Sequence, residues 1–307
     1  MAKEFWGNVD GGTVKWRKVG KGMIMNGLTM EEAFALINCI PDCRLPDDKS
    51  IHYGHRTLGD REIYFVSNQT AEVKTVTPEF RVSGKQPELW EATTGNMRSL
   101  PAYIQNENTT AVPLKLEPYE SVFVVFRKSA GKSSVENVEA NFPIPAVLAD
   151  LNGPWTVRFD PKQRGPEQPI VFETLQDWAA STDERIKYYS GTAVYTSKFK
   201  LDKLPSGENV IINLGNFTAM AKVTLNGNYA GGIWTRPFQL DITKLVKEGE
   251  NELQVEVVNT WVNRLIGDSK LPVDQRPIWC PVNPFKPENP LQSSGLFGPV
   301  QLLSVKY

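Results

Sequence analysis

Alternation of apolar and polar residues is the feature that most constrains the fold of this chain. The runs Gly191–Phe199 and Glu252–Asn259 follow a period of two, which is typical of β-strands with one face on a core. Asn226-Gly227, between apolar runs, predicts a tight two-residue hairpin. About eight or more such strands follow residue 142, so the second half of the chain is predicted to form a jelly-roll β-sandwich.

A series of shorter strands occupies residues 49–128. About seven runs rich in Val, Phe, Tyr and Thr are separated by turn signals roughly every ten residues, which predicts a small antiparallel β-sandwich. The run Ser129–Ser134 is small and polar, as linkers are. We therefore predict a linker at 129–140 and the jelly roll at 141–307, and a fold class that is mainly β.

Residues 1–48 follow a different pattern. Thr13–Met25 is typical of a short hairpin with a Gly-Lys-Gly turn. Thr29 and Glu32 have the spacing of a capping box, and the apolar residues that follow predict a helix from Met30 to Asn38. One hairpin and one helix cannot close a core of their own. We therefore interpret this segment as the αβ remnant of a preceding domain that packs on another part of a protein.

Composition excludes several classes of partner. The 307 residues carry 34 Lys and Arg against 35 Asp and Glu, a net charge of −1, so no binding to nucleic acid or to an anionic membrane is expected. No apolar stretch approaches the roughly 20 residues of a membrane-spanning helix. The three cysteines, Cys39, Cys43 and Cys280, lack the spacing of a zinc site. Reduced thiols and a Cys39–Cys43 disulfide both remain open.

Several motifs of the jelly roll resemble those of one group of sugar-binding domains. Gly191–Tyr195, Asn213–Asn216, Lys222–Gly227, Trp234–Thr243 and Gly249–Leu253 resemble the galactose-binding-like jelly roll of family 2 glycoside hydrolases. Asn259–Asp268 and Ser294–Val300 resemble the C-terminal part of the α-L-rhamnosidases of glycoside hydrolase family 106. His55-Arg56, Ile63–Gln69, Phe80–Val82, Pro87–Trp90 and Thr94-Gly95 resemble the sandwich before that jelly roll. The resemblance covers nearly the whole chain.

This resemblance implies a larger enzyme. The family carries its acidic catalytic residues and a bound calcium in an N-terminal (β/α) barrel, and the strand–helix alternation of such a barrel is missing from this sequence. No catalytic residue is therefore assigned. The resemblance further implies a periplasmic or secreted bacterial protein. No cofactor is expected, since Asp160, Asp241 and Asp268 are isolated and lack calcium-loop spacing.

We predict that the chain is a non-catalytic accessory region of an α-L-rhamnosidase-like glycoside hydrolase, with two partners. These are the missing catalytic domain of the same polypeptide and carbohydrate. An autonomous carbohydrate-binding module and a purely structural β-sandwich without a ligand are the alternatives. A measurable affinity of the isolated chain for sugar would distinguish these alternatives.

Two sets of residues are candidates for a site. His55 and Arg56 precede the first sandwich strand and are candidates for an interdomain or substrate-cleft contact, with an ordinary surface hydrogen bond as the alternative. Indole rings pack on sugars, and guanidinium and amide groups bond hydroxyls. Trp234, Arg236, Asn263, Arg264 and Trp279 follow strands or lie in a proline-rich loop and are the predicted sugar contacts. The alternatives are packing roles for the tryptophan rings and loop-holding roles for Asn263 and Arg264.

Overall fold

The computed structural model describes residues 2–45, 49–131, 137–151 and 153–307. Antiparallel sheets dominate the described residues, which confirms the predicted mainly β fold class. No helix in these ranges is long and apolar enough to cross a bilayer. The three cysteines are free thiols, with Cys39 exposed and Cys43 buried, so the alternative of a Cys39–Cys43 disulfide is wrong.

The N-terminal segment lacks a core of its own. Its elements are α1 (Ala2–Trp6), β1 (Trp16–Val19), β2 (Gly22–Met25) and α2 (Met30–Leu36). The predicted capping box is confirmed, because Thr29 and Glu32 exchange side-chain and backbone hydrogen bonds. Helix α2 ends two residues before the predicted Asn38, which adopts a left-handed φ of 52° that a helix cannot continue through. Among residues 3–42, Val9 is buried and the other residues are at least partly exposed.

The first sandwich begins at Cys43. Its strands are β3 (Cys43–Arg44), β4 (Ile51–Leu58), β5 (Arg61–Asn68), β6 (Lys74–Val76), β7 (Glu79–Phe80), β8 (Lys85–Trp90), β9 (Met97–Ser99), β10 (Ile104–Gln105), β11 (Thr110–Ala111), β12 (Leu114–Leu116) and β13 (Ser121–Ser129). A five-stranded sheet in the order β4-β5-β13-β8-β9 faces the sheets β10-β11-β7-β3 and β12-β6. Tyr64, Phe80, Leu114 and Phe126 are fully buried between them.

The connector to the jelly roll packs on the first sandwich. Most of the predicted linker run, residues 132–136, lies outside the described residues. The described part forms α3 (Val138–Asn141), and the buried Asn141 side chain bonds the backbone of Ala102 and the carbonyl of Pro113 at 2.8–2.9 Å. Phe142 packs against the core of the first sandwich. Residues 138–142 are therefore held by the first sandwich, although the sequence places 138–140 in a linker.

The jelly roll follows. Its elements are β14 (Ala146–Asp150), β15 (Trp155–Phe159), β16 (Ile170–Phe172), α4 (Glu184–Lys187), β17 (Thr192–Leu201), β18 (Asn209–Asn213), β19 (Asn216–Thr218), β20 (Met220–Leu225), β21 (Asn228–Ile233), β22 (Gln239–Asp241), β23 (Gly249–Val258), α5 (Val262–Ser269), β24 (Gly295–Gly298) and β25 (Gln301–Val305). A six-stranded sheet, β16-β15-β17-β23-β20-β21, packs on a four-stranded sheet, β14-β25-β18-β22. The Asn226-Gly227 hairpin is confirmed, with both residues at positive φ.

Candidate functional site

The strand register brings several predicted site residues to one end of the six-stranded sheet. Met220 at the start of β20 pairs with Val258 at the end of β23, and Ala221 pairs with Ile233 at the end of β21. The segments that follow β21 and β23 therefore leave the sheet at the same end. Trp234 stands directly after β21, and α5 begins four residues after β23.

Helix α5 occupies a region where the sequence suggests only loop residues after a strand. Asn263 on this helix is buried and its amide is fully engaged: Nδ2 donates to the Gln292 carbonyl at 2.6 Å and to Ser294 Oγ at 3.1 Å, and Oδ1 accepts from Gln292 N at 2.8 Å. These bonds fasten α5 to the segment before β24. Such an arrangement corresponds to a positioning role, since no amide group is left to face a sugar.

Arg264 lies mostly inside the fold as well. Its side chain is 11% exposed, and Nη1 lies 3.9 Å from Asp268 Oδ1. Burial lowers the pKa of Arg264, and the Asp268 carboxylate only partly offsets this effect. Asp268 also accepts a hydrogen bond from Ile278 N at 3.2 Å, so the pair holds the start of the proline-rich loop.

Trp279 is presented on that loop. Asn283 Nδ2 donates to the Leu265 carbonyl at 2.8 Å, and Ile278 is tied to Asp268, so the loop is attached to α5 on both sides of Trp279. The Trp279 side chain is nevertheless 86% exposed, and Trp234 is 57% exposed. Of the five predicted sugar contacts, these two are the ones that face solvent freely.

Arg236 has an intermediate position. Its Nη2 donates to Asn216 Oδ1 at 2.8 Å, and its guanidinium lies 4.6 Å from the centre of the Phe238 ring. It is partly buried, and these contacts fix its direction without enclosing it.

His55 and Arg56 were predicted to precede the first sandwich strand, but they lie on a strand of the first sandwich, β4. The His55 ring stacks on Tyr64 at 4.2 Å, with Nδ1 3.3 Å from Asp42 Oδ2 and Nε2 2.8 Å from Glu62 Oε2. Burial would raise the pKa of both carboxylates, but hydrogen bonds from His55, with Arg81 for Asp42 and Thr57 for Glu62, outweigh it and lower the pKa.

These bonds attach the end of the N-terminal segment to the first sandwich, because Asp42 directly precedes β3. Arg56 remains exposed and donates to its neighbour's carbonyl. A substrate-cleft or interdomain role of the pair stays a prediction.

A cleft that sequence reasoning missed lies between the two sandwiches. It has a volume of about 370 Å³ and opens between the outer face of the four-stranded sheet and the ends of the first sandwich. Its charged lining residues come from three separate stretches of chain, 91–98, 115–120 and 241: Glu91, Arg98, Lys115, Glu117, Glu120 and Asp241. No local motif joins these residues, so only the packing of the two sandwiches reveals the cleft.

The described residues contain no group of three or more His, Cys, Asp or Glu side chains that could hold a metal ion. The calcium that the resemblance implies belongs to the barrel. The described residues therefore assign no metal role to Asp160, Asp241 or Asp268.

Comparison with known proteins agrees with the motifs. The family model for alpha-L-rhamnosidase matches residues 1–105, and the model for the glycosyl hydrolase 2 galactose-binding domain-like fold matches residues 175–283. The structure of a rhamnosidase from Novosphingobium sp. PP1Y superimposes on 98% of this chain with a TM-score of 0.88 and 35% identity. The predicted resemblance to α-L-rhamnosidase-like glycoside hydrolases is confirmed. The chain is thus similar to a carbohydrate-active protein over both of its sandwiches.

Two curated relatives of this chain are named as beta-glucuronidases. A protein named "Putative beta-glucuronidase" from Formosa agariphila is 36% identical over 230 residues, which is 67% of this chain and 19% of that relative. A beta-glucuronidase from Paenibacillus borealis is 27% identical over 130 residues, which is 38% of this chain and 22% of that protein. The chain therefore spans about a fifth of these relatives, and it spans 28% of the rhamnosidase structure.

Proposed function

We propose that this chain is a non-catalytic accessory region of an α-L-rhamnosidase-like glycoside hydrolase, and that it packs on the catalytic domain through its N-terminal segment. The family match over residues 1–105 joins this segment to the first sandwich as parts of one enzyme type. The rhamnosidase that resembles this chain is more than three times as long, which leaves room for a catalytic domain outside the matched region.

The apolar surface of the N-terminal segment carries the proposal. Val9 of this segment is buried. Several large apolar side chains of the segment are, in contrast, 36–63% exposed: Phe5, Trp6, Trp16, Met30, Phe34, Leu36 and Ile37. Such a concentration on about forty residues is typical of a surface that another domain covers. The His55–Asp42 and Arg81–Asp42 pairs attach the end of the segment that carries this surface to the first sandwich.

Substitution of this surface tests the packing. We expect Trp16→Ser with Phe34→Ser to weaken binding of the chain to the separately produced catalytic domain by at least about tenfold, because buried aromatic residues dominate such interfaces. Isothermal titration calorimetry measures the affinity. The thermal midpoint of the isolated chain should stay the same, since both side chains are 45–46% exposed in it.

Leu58→Ser with Tyr119→Ser is the matched control. Both side chains are 63% exposed, but they lie on the first sandwich rather than on the segment. Equal weakening by the two double variants, or no binding by the unchanged chain, contradicts the proposal.

The isolated chain is expected to lack glycosidase activity. The described residues form sandwiches rather than the barrel that carries the family's catalytic acids, so incubation with an aryl α-L-rhamnoside should release no more phenol than a buffer control. Release that scales with the concentration of the purified chain contradicts this expectation.

Carbohydrate binding by the chain itself is a second proposed function. The exposure of Trp234 and Trp279 favours it, because a soluble protein gains nothing in stability from indole rings that face water. Titration of the chain with sugars, followed through the indole N–H signals in NMR spectra, tests it. Absence of any shift would favour a purely structural role.

A further inference from the structure

The edge strand of the six-stranded sheet carries two exposed aromatic rings on its outer face. Tyr229 and Trp234, on and after β21, are 64% and 57% exposed. Gly232 lies between them, and a Cβ atom at this position would lie 3.5 Å from the Tyr229 hydroxyl and 4.0 Å from the Trp234 ring. The Tyr229 and Trp234 side chains thus both approach the space above Gly232, which has no side chain to fill it.

The direction of these residues follows from the strand register. Val223 and Leu225 of β20 are fully buried, so Lys222 and Thr224 point outward, and these two pair with Gly232 and Tyr229. The register shifts between Val223 and Thr224, which inserts one extra residue in β21. This bulge puts Tyr229 on the same face as Gly232 and Trp234.

Charged groups stand directly beside the rings. Lys222, the register partner of Gly232, forms an ion pair with Glu256 at 2.7 Å on the neighbouring strand. The Glu256 carboxylate raises the pKa of Lys222, and the nearby Tyr229 adds to the effect. The ammonium group, the carboxylate and the phenol therefore lie together at the border of the aromatic pair.

A simple structural role accounts for only part of this arrangement. Aromatic side chains often cover a glycine of an edge strand and stabilise it. That role explains why the rings lean over Gly232, but covering a glycine requires neither two rings that are more than half exposed nor an ion pair next to them.

We propose that Tyr229, Gly232 and Trp234, with the Lys222–Glu256 pair, form a binding site for one pyranose unit of a carbohydrate. The C–H face of the sugar would stack on the Tyr229 and Trp234 rings. These rings can lie across the strand because Gly232 has no side chain. Its hydroxyl groups would accept from the Lys222 ammonium and donate to the Glu256 carboxylate. The proposal rests on the carbohydrate-binding function proposed above and gives it a location.

The test is an NMR titration of the 307-residue chain with the methyl pyranosides of L-rhamnose, D-galactose and D-glucuronic acid. We expect saturable shifts of the Trp234 indole signal for at least one of them, with an affinity in the millimolar range, and none for mannitol, which has hydroxyls but no ring face. Trp234→Ala and Gly232→Val should each weaken binding at least about tenfold. In Gly232→Val both rings remain, but the new methyl groups push them apart.

Tyr119→Ala, which removes a similarly exposed ring on the first sandwich, is the control and should bind as the unchanged chain does. Thermal melting establishes that each variant is folded, and Tyr229→Ser replaces Gly232→Val if the valine destabilises β21. Unchanged affinity in Trp234→Ala, loss of affinity in Trp279→Ala alone, or no saturable shift with any of the three sugars overturns the site. None of these results bears on packing against the catalytic domain, which is tested with Trp16 and Phe34.

Discussion

Gly295→Ala is expected to lower the free energy of unfolding of the jelly roll by about 3–5 kcal/mol, through overpacking together with backbone strain. Gly295 has a φ of +106°, and a Cβ atom there would lie 2.6 Å from Trp178 Nε1. Trp178 cannot move aside. It is fully buried, its Nε1 donates to the Tyr195 hydroxyl at 2.6 Å, and its ring contacts Phe159 at 5.2 Å.

Substitutions at two other glycines distinguish the effect of the steric clash with Trp178 from that of the backbone strain. Gly207 has a φ of +72° with nothing within 4 Å of a Cβ, so Gly207→Ala should cost only about 1 kcal/mol through its backbone. Gly54 has neither feature, and Gly54→Ala should be close to neutral. Urea unfolding followed by tryptophan fluorescence measures all three variants. A Gly295→Ala protein as stable as Gly207→Ala would mean that Trp178 repacks freely.

Local features of this fold follow from the sequence because their causes are local. The capping box of α2 needs only Thr29 and Glu32 three residues apart, and the β20–β21 hairpin needs only Asn226-Gly227 at positive φ. The two series of strands follow from a period of two. The same rules overestimated α2 by two residues, because the Asn38 and Cys39 amides bond back to the Ala35 and Phe34 carbonyls and close the helix with Asn38 in a left-handed conformation.

The candidate site was harder to predict, since its determinants are distant in the chain. Asn263 was predicted to face a sugar, but its three partners lie at Gln292 and Ser294, about thirty residues away. Helix α5 has no side-chain N-cap and its first turn has no acidic residue, so no local signal marks its start. The sequence does not show that Tyr229 and Lys222 lie on the same face of the sheet. That placement depends on the β-bulge, which is a property of the strand register.

The cleft between the two sandwiches is lined by Glu120, a carboxyl group whose surroundings disfavour its charged form. Glu120 ends the turn before β13, and its Oε2 accepts from Glu117 N at 2.7 Å. Burial raises the pKa of Glu120 to about 7, and the carboxylates of Glu117 and Glu91 add to the effect. The Glu117 backbone N–H and the Arg98 guanidinium act in the opposite direction but do not balance the burial.

Arg98 neutralises Glu120 only weakly because its guanidinium is engaged elsewhere. It lies 5.0 Å from the centre of the Phe142 ring and 4.5 Å from that of Tyr307, and Nη1 donates to the Asn141 carbonyl at 2.7 Å. Arg98 therefore joins the connector to the first sandwich. The charge of Glu120 is left to destabilise the folded chain at high pH.

Glu120→Gln is expected to stabilise the chain above pH 7 by up to about 3 kcal/mol and to have little effect near pH 4.5. The ordinary pKa of a glutamate is 4.5 and that of Glu120 in the folded chain is about 7, so the folded state holds the proton more tightly than the unfolded state. The contribution of Glu120 to stability is therefore greatest below pH 4.5, falls as the pH rises to about 7, and changes no further above it. One pKa unit corresponds to about 1.4 kcal/mol.

The measurement is the free energy of unfolding in urea at pH 4.5 and at pH 8 for the unchanged chain and the variant. Glutamine keeps the side-chain oxygen that accepts from Glu117 N, so the difference between the two pH values isolates the charge. Glu107→Gln, in an exposed turn that does not line the cleft, controls for the substitution itself. An equal effect of Glu120→Gln at both pH values would mean that the cleft admits enough water to solvate the carboxylate, and that the two sandwiches pack less closely around it than the structure describes.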